Sequence, residues 1–261
     1  MLGCIVSNSI LRNTNRFSGL RSRRASAASM NYLIVNADDF GASRGINRAI
    51  IELHQLGVVT STSLMIDVPA ARHAAHMARA SPKLGVGLHV TLTNEQSAPL
   101  IDFDDAARCL KELEAQITRF IDALGQAPTH IDSHQNVHRD ERLLPIFHDV
   151  AGRHSLPLRE HSPVRYFSAF YGQWNSETHA EQISIENLLL MLESEIGDGI
   201  TELSCHPGYT DPAFDSPYNI EREIELKTLS DGRFTAFLHK RAVKLISFRD
   251  LPLRTARLQS L

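Results

Sequence analysis

From Tyr32 onward, short apolar runs ending in polar residues alternate with stretches whose apolar positions recur at helical spacing. The first kind marks buried parallel strands, and the second marks helices lying against them. Strands are expected at Tyr32–Asn36, Thr60–Ile66, Gly85–Leu92, Thr129–Ser133, Leu156–Arg159, Thr201–Ser204 and Lys244–Phe248. The first interval holds a helix capped by Ser43, with Ile46, Ala49, Ile50 and Leu53 on one face and Gly57 past its end. Further helices are expected at Ala70–Ala80 with Pro69 at its first turn, Asp104–Leu124, Glu141–His154, Ile183–Ile196 and within Glu221–Lys240. Val164–Trp174 reads as an irregular aromatic stretch. About seven βα repeats in one run imply an α/β fold with a parallel sheet, either open and doubly wound or closed into a barrel. No glycine-rich phosphate loop follows the first strand, which counts against the dinucleotide-binding form. With no internal repeat or linker inside 30–261, one domain is expected there.

The chain has 261 residues, 43% hydrophobic and 22% charged, as expected of a globular protein with a sizeable core. No apolar run approaches the roughly 18 residues that cross a bilayer, so no membrane association is expected. Net charge is −3, but residues 1–30 carry five Arg and no acid, leaving −8 on the remainder. A body that acidic argues against nucleic acid as a partner. Three cysteines (Cys4, Cys109, Cys205) at wide spacing form neither a disulfide framework nor a zinc ribbon, and a reducing, cytoplasmic compartment fits them best. Residues 1–29, rich in Ser and Arg, have the composition of a presequence but no clean amphipathic period. An upstream extension, with Met30 as initiator, is the simpler expectation.

Ionisable residues gather where the expected strands end. Asp38 and Asp39 follow the first strand, His89 falls within the third, and His130, Asp132, His134 and His138 surround the fourth. Arg159 ends the fifth and His206 follows the sixth. Barrels of parallel strands assemble their active sites at these C-terminal ends. In an extended segment His130, Asp132 and His134 share one face, whereas His138 requires the loop to turn back. Taken singly, each group has a plainer reading: a solvated histidine, a core histidine in an apolar strand, or acids capping the next helix. Together, one Asp and two His from three strands form a facial metal-ligand set with open positions. Asp38 and Asp39 suggest a division of labour, one carboxylate on metal and one taking a proton. Cys205 beside His206 suggests a nucleophile pair, but neighbours on a strand face opposite ways, and Cys205 reads better as a small buried hydrophobe.

These stretches, Asn36-Ala-Asp-Asp-Phe-Gly41, Gly87-Leu-His89, His130-Ile-Asp-Ser-His134-x-x-Val-His138 and Cys205-His-Pro, resemble the YdjC-like carbohydrate deacetylases, most closely their chitooligosaccharide deacetylase branch. The resemblance runs from about Tyr32 to Asp250 and includes Ser168-Ala-Phe-Tyr-Gly172 and Ser247-Phe-Arg-Asp250. It implies a deformed (β/α) barrel, one divalent metal (zinc or magnesium), an N-acetylated sugar such as diacetylchitobiose as substrate, and homodimerisation. Carried onto these residues, it makes Asp39, His89 and His134 the metal ligands, Asp38 the general base and His206 the general acid. Arg159 and Asp132 would orient these groups, and His138, Tyr171 and Trp174 are further candidates for substrate contact or support. Phe167, Phe170, Tyr171 and Trp174 offer a sugar platform, with loop packing as the alternative. Gln135 and Asn136 depart from the family, whose members commonly have further histidines there. The implied chemistry is hydrolysis by metal-activated water, with Asp38 taking a proton and His206 protonating the departing amine, hence a bell-shaped pH profile. Rival readings are a non-haem iron oxygenase, a metal-dependent barrel enzyme on a phosphoester or lipid-linked amino sugar, and a carbohydrate-binding protein without catalysis.

Overall fold

The computed structural model describes residues 31–251, and the expected extension at 1–29 lies outside them. Among the described residues nine strands form: β1 (Asn31–Phe40), β2 (Ser61–Leu64), β3 (Gly85–Val90), β4 (Ile131–Ser133), β5 (Arg165–Phe167), β6 (Gln173–Trp174), β7 (Glu177–Thr178), β8 (Gly199–Cys205) and β9 (Val243–Leu245). The helices are α1 (Arg44–Gln55), α2 (Ala71–Arg79), α3 (Ala106–Leu124), α4 (Leu144–His154), α5 (Ile185–Glu195), α6 (Ile220–Leu229) and α7 (Gly232–Lys240). Seven strands make one parallel sheet in the order β4-β3-β2-β1-β8-β5, with β9 also on β1. The sheet curls into a deformed, barrel-like half-cylinder wrapped by helices, as α/β alternation requires.

Side chains alternate across each strand and so divide the core in two. Leu33, Val35 and Ala37 of β1, with Leu88 of β3 and Leu203 of β8, face the helices in one large cluster. Ile34 faces inward and forms a small apolar floor with Val164 and Phe248. Above that floor the inward positions turn polar: Asn36, Asp38, Ser63, His89, Asp132, Glu202 and Ser204 are all buried. Each strand thus carries apolar residues to the helices and chemistry to the interior.

Four local expectations need correction. Leu156–Arg159 is not a strand but a single bridge from Leu158 to Ile131, continuing the sheet edge beyond β4. Val164–Trp174 is not irregular throughout: it holds β5, which pairs with β8, and opens the β6-β7 hairpin. The helix within Glu221–Lys240 is two, broken where Asp231 caps α7 through the Arg233 amide. Pro69 lies outside α2, whose N-cap is Ala70. Ser43 does cap α1, accepting from the Ile46 amide at 3.1 Å, and Ile46, Ala49, Ile50 and Leu53 are buried as expected.

Candidate active site

A cavity of about 380 Å³ opens at the C-terminal ends of the strands, lined by Asp38, Asp39, His89, Glu95, His134, Tyr171, His206 and Arg222 among others. How two adjacent acids of β1 both reach it is a question of backbone. On a regular strand Asp38 would face inward and Asp39 outward. Here the register of β1 on β2 shifts between Ala37 and Phe40, and Asp39 takes φ +63°. That left-handed bulge turns the second carboxylate into the mouth, and Asp tolerates the conformation better than most residues. Both acids end up 3% exposed.

Asp39 sits among histidines. Its Oδ1 is 3.3 Å from His89 Nε2 and 3.2 Å from His134 Nδ1. The three residues offer ligand atoms all within 4.8 Å of one another. His89 donates its Nδ1 proton to Asp132 Oδ1 at 2.8 Å, which aims Nε2 at the cavity; this carboxylate–histidine arrangement orients imidazoles at metal centres. Burial opposes the imidazolium of His89, yet Asp132 and Asp39 outweigh it and push the group up to about 10. Burial also resists charge on Asp39, but Arg222, His134 and His89 hold its carboxyl well below the usual range. Six carboxyl groups (Asp38, Asp39, Glu95, Asp132, Glu202, Glu225) surround two guanidiniums, Arg159 and Arg222. A donor set of two imidazoles and a carboxylate in so negative a surrounding fits a divalent cation, which would displace the proton His89 otherwise holds.

Asp38 is held differently. Arg159 grips both its oxygens at 2.8 Å, Asn36 donates to Oδ1 at 2.7 Å and Ser204 to Oδ2 at 3.2 Å. Burial works against ionisation, but the Arg159 guanidinium prevails and keeps this carboxyl below its ordinary value. Arg159 also reaches Asp132 at 2.8 Å and Glu202 at 2.6 Å, and lies 4.8 Å over the Tyr166 ring. Burial pushes Glu202 up to about 7 even with that partner. Beneath them Ser63 donates to Asp132 at 2.5 Å while accepting from Asn36 at 2.8 Å. His130 Nε2 completes the set, 3.1 Å from the same hydroxyl. Burial drops His130 to about 4, so it is a neutral structural group. A Cβ on Gly87 would overlap the His130 ring, which explains glycine two residues before His89.

His206 faces Asp38 across the cavity, Nε2 to Oδ2 at 3.9 Å. That gap exceeds hydrogen-bond reach and admits a bridging group. Burial disfavours its protonation, but Glu225 and Asp38 raise it above its ordinary value. Glu225, 3.8 Å from His206 Nδ1, also accepts from the His206 amide and from Tyr218 Oη at 2.5 Å. Arg222 and Glu225 are one helical turn apart on α6: the first donates to Asp39 Oδ2 at 2.6 Å, the second flanks His206.

The strand-end residues Asp38, Asp39, His89, His134 and His206 therefore meet in one cavity, with Asp132 and Arg159 beneath it. His138 does not line it; fully buried, it bonds Ser133 at 2.7 Å and Glu160 at 3.2 Å and so braces the turn after His134. Gln135 and Asn136, at φ +55° and +53°, make that turn and line the rim. Of the four aromatic residues offered as a platform Tyr171 lines the cavity, together with Tyr166 and Tyr218; it stacks on Tyr218 at 4.6 Å and lies edge-on to His206. Phe167 and Phe170 are core, and Trp174 stacks on His179 at 3.4 Å away from the lining. Cys205 is buried on the helix side of β8, donates to the Asn36 carbonyl at 3.4 Å, and has its thiol pushed well up by burial, which fits packing and not nucleophilic attack. Glu95, Glu202, Tyr218, Arg222 and Glu225 were not anticipated, because none sits in a recognisable motif or at the end of an expected strand, except Glu202, which lies inside one.

The chain is 38% identical to a carbohydrate deacetylase of Geobacillus stearothermophilus, covering 84% of this chain and 97% of that one. It is 34% identical to a chitooligosaccharide deacetylase of Klebsiella pneumoniae, over 84% and 98%. A solved structure of a provisionally named cellobiose-phosphate cleavage protein of Enterococcus faecalis superposes with a TM-score of 0.74 at 28% identity, over 84% and 98%. A family 4 carbohydrate esterase of Streptomyces lividans shares the fold alone, with a TM-score of 0.53 at 13% identity over 84% and 93%. Residues 32–240 match the YdjC-like protein family, and the chain belongs to it.

Proposed function

We propose that this chain, a deacetylase by family and relatives, is a metal-dependent N-deacetylase of chitooligosaccharides such as diacetylchitobiose. The observation that carries the reading is the bulge that sends adjacent acids to separate tasks: Asp39 toward His89 and His134, Asp38 onto Arg159 and opposite His206. Asp39, His89 and His134 would hold zinc or magnesium, which when bound polarises the acetyl carbonyl and acidifies water. Asp38 stays ionised and takes the proton as water attacks. His206 holds a proton at Nε2 and delivers it to the departing amine, with Glu225 keeping it charged. Tyr171, 39% exposed and stacked on Tyr218, presents a face on which a sugar ring can lie. Among the described residues no helix is long and apolar enough to cross a membrane. Cys109 and Cys205 are buried and unpaired, and we assign the enzyme to the cytoplasm.

A second substrate, an amino sugar with an apolar aglycone, is favoured by one feature. A groove of about 870 Å³ adjoins the cavity at Glu95 and is walled by Val68, Leu92, Leu100, Ile101 and Phe214. The test is acetate release by zinc-reconstituted protein from diacetylchitobiose, from N-acetylglucosamine, and from an N-acetylglucosamine alkyl glycoside. Diacetylchitobiose as the best substrate supports the first reading. A preference for the alkyl glycoside moves it to the second, and no acetate from any of the three removes sugar deacetylation.

A further inference from the structure

The two oxygens of Asp39 have different owners. Oδ1 faces both histidines, at 3.3 Å and 3.2 Å, whereas Oδ2 accepts from Arg222 at 2.6 Å. Arg222 is 3% exposed, enters from the first turn of α6, and lies 5.6 Å from the Tyr218 ring and 5.8 Å from the Phe214 ring, which fix its plane. Its Nη1 also lies 3.5 Å from the His206 carbonyl, while its Nε is buried without a partner. An arginine pressed against the ligand side of a cation site is electrostatically costly once the site is filled, since a dication and a guanidinium repel.

We infer that Arg222 is a positioning residue that holds Asp39 to one-oxygen ligation and deliberately weakens metal binding in exchange for reactivity. With Oδ2 taken by Arg222, only Oδ1 of Asp39 would be left to hold an ion beside His89 and His134. Arg222 also draws charge from the carboxylate, leaving the bound ion more electron-poor. Partners of metal ligands ordinarily strengthen binding, and their loss costs roughly 10–100-fold in affinity or activity. Arg222 departs from that pattern in sign: its loss tightens the metal while slowing the reaction.

The inference rests on the metal reading of Asp39, His89 and His134, and the experiment separates the two. Zinc affinity of the metal-free protein is measured by competition with a chelator for wild type, Arg222→Met, Arg222→Gln and Arg222→Lys, with folding checked by circular dichroism and acetate release followed at saturating zinc. The two neutral variants should bind zinc about tenfold more tightly than wild type, with kcat lowered by a comparable or larger factor. Arg222→Lys, which keeps the charge, should stay within about threefold of wild-type affinity. Two neutral substitutions of unlike shape guard against one of them failing to fold. Unchanged or weaker zinc binding in the folded neutral variants overturns the inference, as does equal tightening by Arg222→Lys. Wild type that binds no zinc overturns the metal reading itself, and Arg222's role with it.

Discussion

Asp38 and Asp39 are neighbours in sequence and equally buried, yet the two sides of the cavity they found are built on opposite terms. On the Asp38 side every acid is hydrogen-bonded: Arg159 serves Asp38, Asp132 and Glu202, and Asn36, Ser63 and Ser204 donate as well. On the Asp39 side Arg222 holds one oxygen at 2.6 Å, but the histidine contacts to the other are longer, at 3.3 Å and 3.2 Å, His134 Nε2 is buried without a hydrogen bond, and Glu95 stands 3.4 Å from it. A saturated network is rigid and is ready before substrate arrives. An unsaturated one is completed by something that binds. On the proposed mechanism the base is thus part of the fold, and the electrophilic side is completed by a ligand.

The contrast can be broken most severely at Arg159. Arg159→Met leaves three buried acids without their cation and should cost about 3–5 kcal/mol of unfolding free energy, read from urea titrations. A loss under about 1 kcal/mol would mean that the Asp38 side is not a saturated network. The opposite side should respond to metal. Zinc at about 100 times its dissociation constant should stabilise wild type and Asp38→Asn by about 2.7 kcal/mol and leave Asp39→Ala unmoved in thermal melts. Equal stabilisation of Asp39→Ala would place the ion elsewhere.

A smaller effect sharpens the role of His206. Its raised pKa keeps it protonated to higher pH, so the alkaline limb of kcat/KM should lie above 6.5. Glu225→Gln removes the main charge that raises it, so that limb should move to lower pH while the acid limb stays. An unmoved alkaline limb would assign the proton donor to another group. The mildest change is Tyr171→Ala, which should raise KM roughly three- to tenfold with kcat largely kept, as the loss of one stacking face allows. A drop confined to kcat would put Tyr171 in the chemistry and not in the platform.

Much of the fold and of the site is legible in the sequence. Parallel strands announce themselves as apolar runs, and polar positions at their ends point to the cavity; place alone marks Asp38, Asp39, His89 and His206 together with His130, Asp132, His134, His138 and Arg159, and the family resemblance narrows them to Asp38, Asp39, His89, His134 and His206. His138 was readable as a loop residue but not as a brace, because its partners Ser133 and Glu160 are defined only by the turn at Gln135–Asn136. The bulge at Asp39 escaped notice because no residue type marks it uniquely, though Gly41 two positions on, at φ +103°, belongs to the same tight exit from β1. Arg222 and Glu225 were invisible for a different reason. On α6 they read as ordinary polar helix positions, and only the packing of α6 over the mouth shows that they face inward. β5 was hidden because three residues among aromatics carry too little pattern to separate a strand from a loop.

The most direct measurement is zinc content and acetate release taken together on wild type, Asp38→Asn and Asp39→Ala. Wild type should bind one zinc and release acetate. Asp38→Asn should bind one zinc and lose about 10²–10⁴ in rate, and Asp39→Ala should lose both zinc and activity. Acetate release at the wild-type rate by Asp38→Asn, or by Asp39→Ala without zinc, would contradict the division of labour between the two acids.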